Sequence, residues 1–270
     1  MNREQLKERI NDLPEFELRD VQVLSNDGEW ILQEHKAICE RDGQYKAVAF
    51  CWKNYKLLQF KEVFEPILDS VDGNIDGYIY TYKGYANFTF YPDDENLKIN
   101  NHRLGLVAVN SVDLSSSIMI KFCVDMGNYK FVVPPKVAGL KKQHKGNVES
   151  ITRNYIDVVG KVKDVWRNIM VEFPKYSVVI NIDDNVESND KLVELRGVLT
   201  KLKIGERMQE KIKSIYEERT LDGSKFTLWD LFETVMIETA NKNYKTDIHR
   251  EKRMETLSNS IFEYATLLSI

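Results

Sequence analysis

Apolar positions alternate with a period of two through much of the first half of this chain, and recur every three to four residues through the second half. Trp30 to Cys39 and Tyr45 to Trp52 read as strands, and the turn-like Glu40-Arg41-Asp42-Gly43-Gln44 between them predicts a hairpin. Phe60, Val63, Phe64, Ile67, Leu68 and Val71 have helical spacing, and Asp72-Gly73-Asn74 stops that helix. From Tyr78 to Tyr91 alternation returns. It assigns Tyr78, Tyr80, Tyr82, Ala86, Phe88 and Phe90 to one face, with Gly84 marking a bulge or a hairpin turn. Leu104 to Asn110, Ser117 to Val124 and Tyr129 to Val133 complete a β-rich block. Pro134-Pro135 closes it, because neither residue can donate a ladder hydrogen bond.

Beyond the prolines the period changes. Ile151, Tyr155, Val158, Val162, Val165, Ile169 and Phe173 trace one stripe of a long amphipathic helix that starts at Val148, with Asn147 as its N-cap and Pro174 at its end. Asp190 to Lys203 and Glu206 to Glu218 read as shorter helices. Thr227-Leu228-Trp229-Asp230 places a carboxylate at N3 behind a threonine N-cap and opens a helix to Asn241; Ile248 to Leu268 forms the last helix. Strands followed by helices define an α+β class. The expected architecture is a β-rich N-terminal half, an antiparallel sheet with one short helix, crossed by a long central helix and followed by a helical C-terminal part. The expected division is residues 1–175 as the α+β core and 176–270 as the helical region.

Composition narrows the classes. Hydrophobic residues make up 43% and charged residues 30%, an ordinary globular balance, and no apolar run approaches the length of a bilayer span. The opening MNREQLKERINDLPEFELRD holds no apolar signal-peptide core. Cys39, Cys51 and Cys123 form no CxxC pair and no disulfide framework, which points to a reducing interior and the cytoplasm, with no membrane partner. Charge changes the picture more. Between Lys136 and Arg167 eight Lys/Arg face three Asp/Glu, a local +5 in a chain whose net charge is −4. Concentrated cationic charge on an acidic protein suggests a polyanionic partner.

Several phrases carry a resemblance: KAVAFCWKNYKLLQFKEVFEPILD at Lys46–Asp69, NSVDLSSSIMI at Asn110–Ile120, KKQHKGNVESI at Lys141–Ile151 and TLWDLFETVMIETA at Thr227–Ala240. In order and wording they resemble the phage- and plasmid-associated domain of unknown function 932 family. That family typically follows its Asn-Ser-x-Asp phrase with Gly-Ser and later a Cys-x-Asn-Gly turn; here Leu114 and Val133-Pro134-Pro135 stand in those places. The resemblance implies a mobile genetic element as the setting. A sheet crossed by a long helix is also similar in architecture to single-strand annealing recombination proteins.

The candidate nucleic-acid-binding residues are Lys136, Lys141, Lys142, Lys145, Arg153, Lys161, Lys163 and Arg167, with Tyr78, Tyr80 and Tyr82. Lys141, Lys142 and Lys145 are expected on a loop ahead of a helix N-terminus, where cations and free N–H groups hold phosphates together. The same residues read equally well as a solvated surface. Tyrosine rings can stack bases, whereas Phe88 and Phe90 read as core. Asn110, Ser111 and Asp113 read as turn-fixing residues rather than catalytic ones. Asp93-Asp94-Glu95 and Asp183-Asp184 are the carboxylate clusters that a two-metal nuclease would gather. The histidines and cysteines have no ligand spacing, and phosphate-loop, dinucleotide and hydrolase phrases are missing, so neither catalytic residue, metal nor cofactor is assigned.

The leading expectation is a non-enzymatic mobile-element protein that binds nucleic acid, foremost single-stranded DNA, as a binding or annealing homo-oligomer. The alternative is an interaction factor that modulates a host defence protein through its amphipathic C-terminal helices. A metal-dependent nuclease ranks last.

Overall fold

The computed structural model describes residues 1–42, 44–99, 102–114, 118–133, 139–142, 155–181 and 191–268. The protein belongs to the α+β class, and its chain divides into two compact units: Met1–Cys123 with Ala138–Val159, and Val124–Val137 with Gly160–Ile270. This division differs from the 1–175 and 176–270 boundary. The reason lies in Trp166 and Phe173, whose packing partners belong to the second unit.

The first unit opens with α1 (Arg3–Asn11), whose N-cap Asn2 and N3 residue Gln5 form a reciprocal capping box. Strands β1 (Phe16–Leu24), β2 (Trp30–Glu40) and β3 (Ala47–Trp52) follow in an antiparallel sheet of order β1-β2-β3. The expected hairpin after Cys39 is present, and β1 and α1 join the elements read from the sequence. Next comes α2 (Phe60–Asp69), which buries Phe60, Val63, Phe64, Ile67 and Leu68, the stripe its periodicity predicts. Strands β4 (Ile75–Tyr82), β5 (Tyr85–Pro92), β6 (Lys98–Ile99), β7 (His102–Ser111) and β8 (Ile118–Asp125) then build a larger sheet. Together with β10 (Gly139–Lys142), the strands run in the order β10-β8-β7-β5-β4, and β6 pairs with β7.

The core of this unit lies between α2 and one face of that sheet. Phe16 meets Phe60 edge-on at 5.6 Å, Phe60 stacks on Phe64 at 6.1 Å, and Phe64 reaches Phe88 at 5.5 Å. Arg3 ties α1 to the end of α2 by donating to the carbonyls of Leu68, Val71 and Gly73. Asn110, expected to fix a local turn, instead donates 3.1 Å across the core to the Leu58 carbonyl ahead of α2.

The second unit contains β9 (Lys130–Val132) and the long helix α3 (Tyr155–Glu172), which enters it from the first unit at Gly160. The expected start of α3 at Val148, with Asn147 as cap, lies outside the described residues. Val162, Trp166, Ile169 and Phe173 are buried, in steps of four, three and four, so Trp166 takes the place given to Val165 in the predicted stripe. Strand β11 (Tyr176–Val179) pairs in parallel with β12 (Lys191–Glu194), and α4 (Leu195–Lys201) follows. The single helix expected over Asp190 to Lys203 is thus a strand and then a short helix, because the β11 backbone offers Leu192 and Val193 a ladder. Helices α5 (Glu206–Thr220), α6 (Leu228–Ala240) and α7 (Asp247–Leu267) complete the chain. Trp166, Phe131 and Trp229 form an aromatic triad with centroids 5.1 to 6.1 Å apart, and Phe173 packs on Phe232 at 4.8 Å.

Candidate functional site

The tyrosine row is the best-defined of the expected binding elements. Along β4, Ile75, Gly77 and Ile79 are buried, Tyr78 and Tyr80 half-buried, and Tyr82 exposed. Tyr78 and Tyr80 touch ring to ring at 4.9 Å, and the Lys83 ammonium lies 5.3 Å from the centre of the Tyr82 ring. The register pairs Tyr78 with Thr89, Tyr80 with Asn87 and Tyr82 with Tyr85. Those partners are the odd-numbered residues of β5. The tyrosines therefore share a face with Asn87 and Thr89, joined by a 3.2 Å hydrogen bond, and not with Phe88 and Phe90. This corrects the single-face assignment. A turn of only two residues, Lys83-Gly84, pairs 82 with 85, so even residues of β4 fall opposite odd residues of β5. Phe88 and Phe90 occupy the other face as core.

The basic segment is placed in part. Lys141 and Lys142 are not on a loop: they belong to strand β10, opposite Met119 and Ile118, at the end of the sheet path. Four residues of β8 supply their backbone partners, which is why a short basic stretch becomes a strand there. Lys136, Lys145 and Arg153 lie outside the described residues. Lys161, Lys163 and Arg167 belong to α3 in the second unit; Lys163 is half-buried, and exposed Arg167 stands 3.8 Å from Asp164 one turn away. Such an exposed pair contributes little to stability. Tyr78, Tyr80, Tyr82, Lys141 and Lys142 belong to the first unit.

Glu95 pairs with Lys98, Asp183 and Asp184 lie outside the described residues, and among the described residues no three His, Cys, Asp or Glu side chains gather as ligands could. All three cysteines are buried, and none is in a disulfide. In the second unit a cleft of about 480 Å³ is lined by Arg207, Lys242, Tyr244 and Arg253 at the start of α5.

One feature was missed by sequence reasoning. Val23 and Leu24 on β1, Trp30, Ile31 and Leu32 on β2, and Phe50 and Trp52 on β3 are all large, apolar and at least half exposed. Trp30 leads at 66%, followed by Trp52 at 64% and Phe50 at 61%. The signal was present as Trp30-Ile31-Leu32, since three consecutive apolar residues on a strand cannot all face one core. Charged side chains of the same sheet pair within it. Arg19 lies 3.4 Å over the Tyr45 ring, Lys36 reaches Asp20 at 3.5 Å, and Lys53 reaches Glu34 at 3.7 Å. Hydrogen bonding from Arg19, and then from Arg41, lowers the pKa of the Glu17 carboxyl despite the opposing effect of desolvation.

No family model matches the chain, and neither a curated protein nor a solved structure matches it. Among the described residues, no helix is long and apolar enough to cross a membrane.

Proposed function

We propose that this protein is a non-enzymatic nucleic-acid-binding module of a mobile genetic element, holding single strands and acting as an annealing or protective oligomer in the cytoplasm. The observation that carries the reading is the row Tyr78, Tyr80 and Tyr82, set off the phenylalanine core in a sheet whose last strand bears Lys141 and Lys142. Rings on a partly open sheet face stack bases without sequence preference, at about 1–3 kcal/mol per base. Lys141 and Lys142, at the opposite end of the sheet from the tyrosines, would engage phosphates further along a strand, and the +5 of the Lys136 to Arg167 stretch supplies long-range attraction. Three buried cysteines outside any disulfide support the cytoplasmic setting.

The test is fluorescence anisotropy of labelled single-stranded oligonucleotides across a salt series. Binding should weaken steeply with added salt, and Lys141→Glu with Lys142→Glu should reduce affinity by a similar factor on every sequence. No binding at low salt removes the reading.

A second reading, a factor that engages a host protein, draws support from the exposed apolar residues of β1, β2 and β3. A stoichiometric protein partner and no nucleic acid on the purified chain would favour it.

A further inference from the structure

Strands β1 and β2 extend past β3 as a two-stranded ribbon. The last β2–β3 pair is His35 opposite Trp52, with the Lys53 N–H donating to the Glu34 carbonyl at 3.1 Å. Beyond that point Gln22, Val23 and Leu24 pair with Leu32, Ile31 and Trp30. A well-made turn closes the tip: the Ser25 N–H donates to the Glu29 carbonyl at 2.8 Å, and the Glu29 N–H donates to Ser25 Oγ at 3.1 Å. Paired residues share a face. Leu24, Trp30 and Leu32 therefore stand on one side of the ribbon and Val23 with Ile31 on the other. Apolar side chains are exposed on both sides. Among the described residues β1 has a single strand neighbour, and so does β2 from Trp30 to Gln33.

We propose that this ribbon is the surface through which two copies of the chain associate, ribbon against ribbon about a two-fold axis. The inference stands independently of the nucleic-acid reading. Area is the first argument. An aromatic side chain covers about 150–250 Å², so Trp30, Phe50 and Trp52 alone leave on the order of 400 Å² of ring open. Val23, Leu24, Ile31 and Leu32 bring the total to roughly 700 Å². The largest apolar patch of an ordinary monomer is about 300–600 Å², whereas each partner of a stable complex contributes about 800 Å². The total is spread over both sides of the ribbon, so it approaches what one side of a dimer needs when the partner clasps the ribbon from both faces.

Charge selects against polyanionic occupants. From Phe16 to Trp52 four Lys/Arg face seven Asp/Glu, a local −3 that repels nucleic acid and anionic lipid alike. Self-complementarity selects a second copy. A surface that is apolar on both sides fits its own two-fold image, and an open strand edge pairs antiparallel with the same edge of a copy. A two-sided apolar ribbon with open edges would associate indiscriminately if left bare, and a copy of the same chain is the partner present wherever the protein is made.

Sedimentation velocity of the full chain, free of nucleic acid, tests the proposal. At about 10 µM, where a micromolar dissociation constant populates both forms, the wild type should show a weight-average mass well above 31.6 kDa that rises toward twice that value with concentration. Trp30→Glu combined with Leu32→Glu should run at 31.6 kDa with an unchanged far-UV circular dichroism spectrum. Its dissociation constant should rise about 100-fold or more, as expected for loss of two central apolar anchors. Should that variant fail to fold, Ile31→Cys with a short bis-maleimide decides. It should give covalent dimers, while Leu221→Cys, at an 84% exposed position in the other unit, should not. A wild type that stays monomeric overturns the proposal, even if it carries a different protein. So do an oligomer unchanged by the double substitution and equal cross-linking at 31 and 221.

Discussion

Lys130 on β9 and Glu251 on α7 form an ion pair inside the second unit, with side-chain exposures of only 6% and 10%. Two residues along the strand, the Val132 N–H donates to Ser258 Oγ at 3.2 Å. Glu251 and Ser258 are seven residues apart, two helical turns, so one face of α7 meets the strand at two polar points. A buried pair is worth little net, yet breaking it is costly because one charge is left without its countercharge. Glu251→Gln should therefore lower stability by about 3–5 kcal/mol, and Lys130→Met with Glu251→Leu should recover most of that loss. Urea unfolding measures both; a single variant as stable as the wild type would show that the pair is no anchor.

Thr227 opens α6 by accepting from the Asp230 N–H at 3.2 Å, while the Asp230 carboxylate accepts from the Thr227 N–H at 2.8 Å. Thr227→Ala removes half of this box and should cost about 1 kcal/mol. Thr227→Ser should keep most of it. The comparison of the two midpoints separates the cap from the loss of a methyl group.

Alkaline pH should unfold the protein through its tyrosines. A phenol in an unfolded chain titrates near 10. Desolvation pushes the Tyr55 pKa up to about 12, and burial followed by the nearby Glu233 raises that of Tyr129. Both hydroxyls stay protonated in the fold where the unfolded chain has already lost its protons. The stabilisation is complete below pH 10 and is lost as pH rises from 10 toward 12. The melting temperature should fall over that window, and less steeply for Tyr129→Phe; identical slopes would exclude Tyr129 as a contributor.

Gly77 leaves no room for a side chain where β4 passes β5. A Cβ there would stand 2.5 Å from the Thr89 carbonyl oxygen and 2.9 Å from Phe90 Cβ. Gly77→Ala should destabilise by about 1–3 kcal/mol through overpacking. Since Thr89 sits on the tyrosine face, the same substitution should shift the near-ultraviolet signal of Tyr78 and Tyr80 if the strand moves to relieve the clash.

Local chemistry was legible wherever it was self-sufficient. The stripe of α2 and the capping box of α6 each lie within a dozen consecutive residues, and their bonds close within one helical turn. Leu192 and Val193 fit a helix as well as a strand until β11 is alongside, because a parallel ladder is supplied by residues distant along the chain. Asn110 was assigned a local turn for the same reason, since its partner lies 52 residues away.

The candidate site divides in the same way. That Tyr78, Tyr80 and Tyr82 share a face follows from the strand period alone; which residues join them on it depends on the two-residue turn at Lys83-Gly84. Clustering of positive charge is a property of the sequence, whereas the strand that holds Lys141 and Lys142 exists because β8 lies beside it. By itself the sequence determined the α+β class, the main strands and helices, and where charge and aromatic residues accumulate, since these depend on neighbours a few positions apart. Only tertiary structure decided that Phe88 would lie on the face away from Tyr78 and that Trp30 would be left in water. Hydrophobicity states what a side chain gains from being covered, and three-dimensional packing determines whether anything covers it.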